Sequence, residues 1–162
     1  MVALVEMAGT EITLQHLPAG PWASSAAVRN VMRANRKRDT APELAVRRRL
    51  HALGLRYRVN CRPLPDKRWT ADVVFTRARV AVFIDGCFWH GCPAHFSQPR
   101  TNTSYWGPKI ARNQTRDAQV DAALADAGWA VVRAWEHEPA SDVAERVATV
   151  VSARRQEALG AR

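Results

Sequence analysis

The chain has 162 residues and a formal net charge of +9 at pH 7, from 24 Lys and Arg against 15 Asp and Glu. That length allows one domain with one substantial core, and the basic excess makes a polyanion the expected partner, nucleic acid ahead of an acidic membrane surface. No apolar run is long enough to span a bilayer and no basic amphipathic helix has a clear lipid face, so no membrane partner is expected.

Residues 1–22 lack helical or strand periodicity and contain Leu17-Pro18-Ala19-Gly20-Pro21, which predicts a disordered N-terminal extension ahead of one domain over 23–158. No basic stretch precedes an apolar core there, so no secretory signal is expected. Ser24 to Thr40 mixes helix formers with Arg29, Arg33, Arg36, Lys37 and Arg38, which suits either a solvated face or a phosphate-tracking arm. Thr40-Ala41-Pro42-Glu43 reads as a capping box, with the Thr40 hydroxyl accepting from the Glu43 N–H and the carboxylate reaching back to the cap. The helix it opens carries Leu44, Val46, Leu50 and Leu53 and should stop at Gly54.

A short strand is expected around Arg56 to Val59, followed by a Pro-punctuated loop. Ala71 to Phe75 and Val80 to Ile84 are the next strands, close enough in sequence to pair as a hairpin. The second is a continuous β-branched and aromatic run, suited to burial on both faces. A helix from about Lys109 to Ala127 starts after Gly107-Pro108, a strand follows from Trp129 to Trp135, and Ser141 caps a last helix carrying Val143, Val147 and Val150. The fold class is therefore α/β, a mixed sheet with helices on both sides.

Chemistry concentrates where the central strand ends. Cys87-x4-Cys92-x2-His95 supplies three soft donors, and His137 lies at the end of a strand that a mixed sheet can place beside them. Thiolate and imidazole donors in fours suit a structural zinc. The alternative is that Cys87 and Cys92 are buried small hydrophobes and the histidines are solvated. His90 is left over, and if it replaced His137 as the fourth ligand it could not serve catalysis. The odd cysteine count, with Cys61 as the third, argues against a disulfide framework and for a reducing compartment. Asp72 begins one strand of the hairpin and Asp85 ends the other, so both carboxylates can reach one edge of the sheet and hold Mg²⁺, with His90 as general base. The competing reading makes Asp85-Gly86 a turn and Asp72 an exposed strand-start charge.

These residues resemble the very short patch repair (Vsr) DNA mismatch endonucleases from about Arg29 to Glu136. The carriers are Met32-Arg33, Arg38-Asp39-Thr40, Pro42-Glu43, Leu64-Pro65, Ala71-Asp72 and the continuous run Gly86-Cys87-Phe88-Trp89-His90-Gly91-Cys92-Pro93. Trp106, Lys109-Ile110, Asn113, Arg116-Asp117, Gly128-Trp129 and Trp135-Glu136 follow in the same order.

The resemblance implies a restriction-endonuclease-like fold and nicking of one strand 5′ to the T of a T:G mismatch, where 5-methylcytosine has deaminated. It implies that Asp72 and the backbone carbonyl of Ile84 hold the catalytic metal, that His90 activates water, and that Glu43 belongs to the water network around the metal. Phe88, Trp89 and Trp106 match aromatics that wedge into DNA beside the mismatch, where unstacking costs least. Neighbours on extended chain point to opposite sides, so at least one of Phe88 and Trp89 is expected to be exposed. A cytoplasmic, nucleoid-associated monomer acting on double-stranded DNA, with mismatch-repair helper proteins, completes the picture.

Two departures from the family pattern stand out. Asp85 replaces a second active-site histidine, and the zinc set exchanges cysteines for His95 and His137. A zinc-stabilised DNA-binding module without cleavage, and a restriction or defence nuclease cutting matched DNA, remain the alternatives.

Overall fold

The computed structural model describes residues 38–100 and 102–160. The extension expected over 1–22 and the basic stretch from Ser24 to Lys37 lie outside the described residues. The elements are α1 (Ala41–Ala52), β1 (Arg58–Cys61), β2 (Ala71–Phe75), β3 (Val80–Asp85), α2 (Cys87–His90), α3 (Thr103–Asp126), β4 (Ala130–Trp135) and α4 (Ala140–Gly160).

The strands form one mixed sheet in the order β1-β2-β3-β4. The hairpin is present, with β1–β2 and β2–β3 antiparallel, while β3 and β4 run parallel. As its apolar run requires, β3 is central and buried on both faces. On one face Val73, Phe75, Val80, Val82, Val132 and Ala134 pack against Val46 and Leu50 of α1 and Val143, Val147 and Val151 of α4. On the other, Val74, Ala81 and Phe83 pack against Val120 and Leu124 of α3. The fold is therefore a mixed α/β sheet flanked by helices on both sides.

Several boundaries differ from the sequence expectation. β1 lies two residues later and sits at the sheet edge, where Arg58 and Val59 are exposed and no apolar alternation marks its ends. α1 closes as expected, with Gly54 at φ 75° and a paired Leu55 N–H to Leu50 C=O and Gly54 N–H to His51 C=O closure. Its start is not the expected capping box. The Thr40 hydroxyl donates to Glu43 Oε1 at 3.0 Å, and Oε2 accepts from the Asp39 N–H at 2.9 Å.

α3 begins at Thr103, six residues before the expected start, and carries Pro108 inside it. Proline there removes one helical hydrogen bond, but the extra residues bury Trp106 to 4% exposure. Ser141 is not the cap of α4. The helix starts at Ala140, and the Val143 N–H bonds the Pro139 carbonyl at 3.1 Å.

The parallel pairing positions the site. Asp85 lies beside Trp135 in register, so the chain leaving β3 through Gly86-Cys87 runs alongside the chain leaving β4 through Glu136-His137.

Candidate active site and metal centre

The segment after β3 is a single helical turn, α2, that periodicity could not reveal because it has only four residues. Its first N–H, from Cys87, donates to Glu136 Oε1 at 2.7 Å, which ties it to the end of β4. From the side of α3, Asn113 Nδ2 donates to the Trp89 carbonyl at 2.9 Å and Gln114 Nε2 to the His90 carbonyl at 3.2 Å. Gly91 ends the turn at φ 67°, and a Cβ there would stand 2.5 Å from Gln114 Nε2. Gly91→Ala is therefore expected to lower stability by about 1–2 kcal/mol, from left-handed strain alone. Thermal melting checks this, and an unchanged melting temperature would mean that the turn re-forms at no cost.

Cys87, Cys92, His95 and His137 bring their donor atoms within 4.8 Å of one another, and among the described residues they form one of two groups able to hold a metal. Cys87 Sγ is 3.1 Å from His137 Nδ1, and Cys92 Sγ is 3.7 Å from His137 Nδ1 and 3.9 Å from His95 Nδ1. Both sulfurs are buried and both imidazoles exposed. Burial first, and the neighbouring Cys92 second, push the Cys87 thiol up to about 11. His90 is outside this group.

His90 Nδ1 meets Asp117 Oδ2 at 2.5 Å and stands 3.7 Å from Asp85 Oδ1. An imidazole whose Nδ1–H is held by a carboxylate presents a bare Nε2, the tautomer a general base needs. Asp85 does not turn toward Asp72. Both its oxygens are bonded by Arg133 Nη1, at 2.9 and 2.8 Å. A cleft of about 290 Å³ opens beside His90, lined by Gln114, Asp117, Asp121 and Arg133 among others.

Asp72 sits on the other side of β3. The β2–β3 ladder runs from Phe75↔Val80 to Val73↔Val82, and beyond it the Ile84 N–H donates to Asp72 Oδ2 at 2.7 Å. Ala71 packs with Val74 on the α3 side while Val73 packs on the other, so strict alternation breaks at Asp72. Asp85 C=O accepts from the Glu136 N–H at 2.9 Å. Backbone groups alternate sides along a strand, so both the N–H and the C=O of Ile84 face β2 and Asp72. Burial pushes the Asp72 carboxyl up to about 6. The Ile84 N–H opposes this rise, and the charges of Glu43 and Asp85 add to it. Glu43 is buried at the start of α1 and held by Arg47 Nη2 at 2.9 Å.

The three expected wedge residues form one cluster. Phe88 lies 5.2 Å from both Trp89 and Trp106 between ring centroids, and the two tryptophans 5.7 Å apart. Because Phe88 and Trp89 occupy a helical turn, the opposite-sides argument for extended chain does not apply. Both are half-buried, and Trp106 is buried. Lys109 Nζ lies over the rings of Trp89, Tyr105 and Trp106 at 5.1 to 5.5 Å.

Sequence reasoning gave no role to Asp117, Asp121, Arg133 or Arg47. A signal existed for Arg133, since an arginine inside the apolar strand VVRAW needs carboxylate partners, and Asp117 and Asp121 are spaced i, i+4 on α3.

A family model described as "DNA mismatch endonuclease Vsr" matches residues 24–95. The "Type II nicking enzyme V.NaeI" of Lentzea aerocolonigenes is 50% identical over 118 residues, covering 72% of this chain and 71% of that protein. The "Type II nicking enzyme V.XorIIP" of Xanthomonas oryzae pv. oryzae is 42% identical over 111 residues, 68% of this chain and 79% of its own. The "DNA mismatch endonuclease Vsr" of Escherichia coli strain K12 is 38% identical over 106 residues, 65% of this chain and 66% of its own. With the family match spanning α1 to the Cys/His segment and half the aligned positions identical to a nicking enzyme, the chain belongs to the Vsr DNA mismatch endonuclease family and is a DNA endonuclease.

Proposed function

We propose that this endonuclease nicks one DNA strand 5′ to the T of a T:G mismatch, by Mg²⁺-assisted hydrolysis on a restriction-endonuclease-like framework braced by zinc. The observation that carries the reading is that one four-residue turn bears both His90, oriented by Asp117, and the rings of Phe88 and Trp89, which pack against Trp106 of α3. The proposed base and two of the wedge rings therefore share one turn.

Magnesium fits the Asp72 position. A carboxyl pushed up to about 6 by burial first and by Glu43 and Asp85 after it, against the opposing Ile84 N–H and Arg47 charge, gains from a cation beside it, and the Ile84 carbonyl faces the same side. Asp72 and Ile84 O would hold the ion, which supplies charge stabilisation at the phosphoryl group. Zinc fits the Cys/His group. Tetrahedral bonds of about 2.3 Å to sulfur and about 2.0–2.1 Å to nitrogen space those donors by about 3.5 Å. The sulfur–nitrogen separations of 3.1, 3.7 and 3.9 Å bracket that value.

In the reaction, His90 Nε2 takes a proton from water as the oxygen attacks phosphorus, the bond to the 3′ oxygen breaks, and that oxygen takes a proton from solvent water to leave a 5′ phosphate and a 3′ hydroxyl. Asp117 holds the imidazole in the required tautomer and stabilises its charged form. Glu43, fixed by Arg47 and Thr40, orders water beside Asp72. The half-buried rings of Phe88 and Trp89, backed by the buried Trp106, enter the stack where pairing is weakest, which favours a mismatch over a matched step.

Single-turnover nicking of a T:G duplex and of its C:G counterpart tests this, with and without Mg²⁺. The expected result is a nick only in the mismatched duplex, only with the metal, and slowed by about 100-fold or more in His90→Ala. Equal nicking of both duplexes would make the protein a nuclease of matched DNA. Tight binding without a nick would make it a binding module.

A further inference from the structure

We propose that Arg133 is a positioning residue for nicking, and that Asp85 works as the anchor of this arginine and not as a ligand of the catalytic metal. The inference rests on His90 being the general base.

Arg133 sits at the centre of the only arrangement among the described residues in which three carboxylates surround one guanidinium. Its Nη1 bonds both oxygens of Asp85 at 2.9 and 2.8 Å, and its Nε bonds both oxygens of Asp121 at 3.0 Å. Its Nη2 lies 3.4 Å from the Asp117 carbonyl and 3.6 Å from Asp117 Oδ1. The guanidinium carbon is 4.7 Å from the centroid of the Phe83 ring, its partner in the β3–β4 register. Burial alone would weaken the guanidinium's hold on its proton, but Asp121 and Asp85 outweigh it and keep the group charged.

The consequence is mechanical as well as electrostatic. Arg133 belongs to β4, Asp85 to β3, and Asp117 and Asp121 to α3, so one side chain ties together the three elements that meet beneath His90. Asp85, His90 and Asp117 have ligand atoms within 4.8 Å of one another. Without a cation among them, the two carboxylates repel each other and Asp117 loses the fixed position from which it holds the His90 Nδ1–H. Arg116 is the other cation near Asp117, at 3.8 Å, and it is exposed. Lysine cannot replace Arg133, because one ammonium cannot make side-on contacts to Asp85 and Asp121 at once. Both oxygens of Asp85 accept from Arg133 Nη1, so this clamp sets the orientation of the carboxylate.

The test compares wild type, Arg133→Lys, Arg133→Gln, Asp85→Asn and the double variant Asp85→Asn/Arg133→Gln. Single-turnover nicking of a T:G duplex, DNA affinity and the Mg²⁺ concentration for half-maximal rate are measured for each. Arg133→Lys and Arg133→Gln are expected to slow nicking by about 10- to 100-fold while DNA affinity changes by less than about threefold. The double variant should be no slower than Arg133→Gln, and Asp85→Asn should leave the Mg²⁺ requirement unchanged. An Asp85→Asn variant that needs about tenfold more Mg²⁺, with a loss that adds to that of Arg133→Gln, would overturn the proposal by making Asp85 a metal ligand.

An NMR readout separates this from the functional reading. A slowly exchanging His90 Nδ1–H proton should be seen in wild type and lost in Arg133→Gln, whether or not any duplex is nicked. Its persistence in a folded Arg133→Gln would overturn the positioning role. Should Arg133→Gln fail to fold, Arg133→Lys and the double variant, which removes both charges, carry the same comparison.

Discussion

Asp72→Asn is expected to abolish nicking and, in the same protein, to raise the melting temperature. The first effect follows from removing the charge proposed to hold the metal. A metal contributes several kcal/mol of transition-state stabilisation, so the loss should be about a thousandfold or more at tenfold per 1.36 kcal/mol. The second follows from the burial of Asp72 and the negative charges of Glu43 and Asp85 that add to its effect. A carboxyl pushed up from 3.8 to about 6 holds its proton more tightly folded than unfolded, so stability is lost as pH rises through that window and stays lost above it.

At neutral pH the ionised group costs the fold about 3 kcal/mol at 1.36 kcal/mol per pH unit. Asparagine keeps an oxygen for the Ile84 N–H but forms a weaker bond, so about 2 kcal/mol should be regained, roughly 5–10 °C in melting temperature. The gain should be absent near pH 3, grow between about pH 4 and 6, and level off above. Melts are taken in buffer without magnesium but without a chelator that would strip zinc. Added Mg²⁺ should raise the melting point of wild type and leave Asp72→Asn where it is. A variant that melts lower than wild type at pH 7.5 would mean that Asp72 stabilises the fold and is not held there for its charge.

How much of this was legible in the chain depends on the range of the interaction that decides each feature. β2 and β3 were read correctly from local signals, since Ala71–Phe75 and the Val80 run are apolar and bounded by turn residues. The Cys/His group was legible too, because parallel pairing of β3 and β4 carries Cys87 and His137 out of the sheet side by side. The start of α3 was not. Gly107-Pro108 is a strong local start signal, but burial of Trp106 against Phe88 and Trp89 outweighs it.

Likewise, Asp72 and Asp85 end at neighbouring strand positions, as a hairpin requires, yet turn to different partners. One meets the Ile84 N–H on the side of Glu43, the other Arg133 on the side of α3. Asp117, 27 residues from His90 in sequence, carried a family signature without a visible role. Only the packing of α3 across β3 and β4 gives it one.

Removing the zinc proposed at the Cys/His group should affect nicking more than it affects the core. The sheet and its two apolar faces are built from α1, α3, α4 and the four strands, none of which needs the Cys/His group. The four-residue turn α2 is different, because a helix that short has no stability of its own. It is held by the Cys87 N–H to Glu136, by Asn113 and Gln114, and by the donors at 87, 92, 95 and 137. Without an ion, two buried thiols and two exposed imidazoles face one another with little to keep them together. The turn then loses register, and His90 loses its contact with Asp117.

A zinc-selective chelator, or Cys92→Ala, should therefore slow nicking by about 100-fold or more even with Mg²⁺ replenished. Zinc held at about a thousand times its dissociation constant stabilises the folded state by about 4 kcal/mol. Its removal should lower the melting temperature by roughly 10–15 °C, with the far-ultraviolet spectrum almost unchanged. Metal analysis of the purified protein should find one zinc per chain in wild type and less in Cys92→Ala. A protein that carries no zinc, and melts and nicks unchanged in the chelator, would leave Cys87 and Cys92 as buried apolar residues and leave the geometry of α2 to Glu136, Asn113 and Gln114 alone.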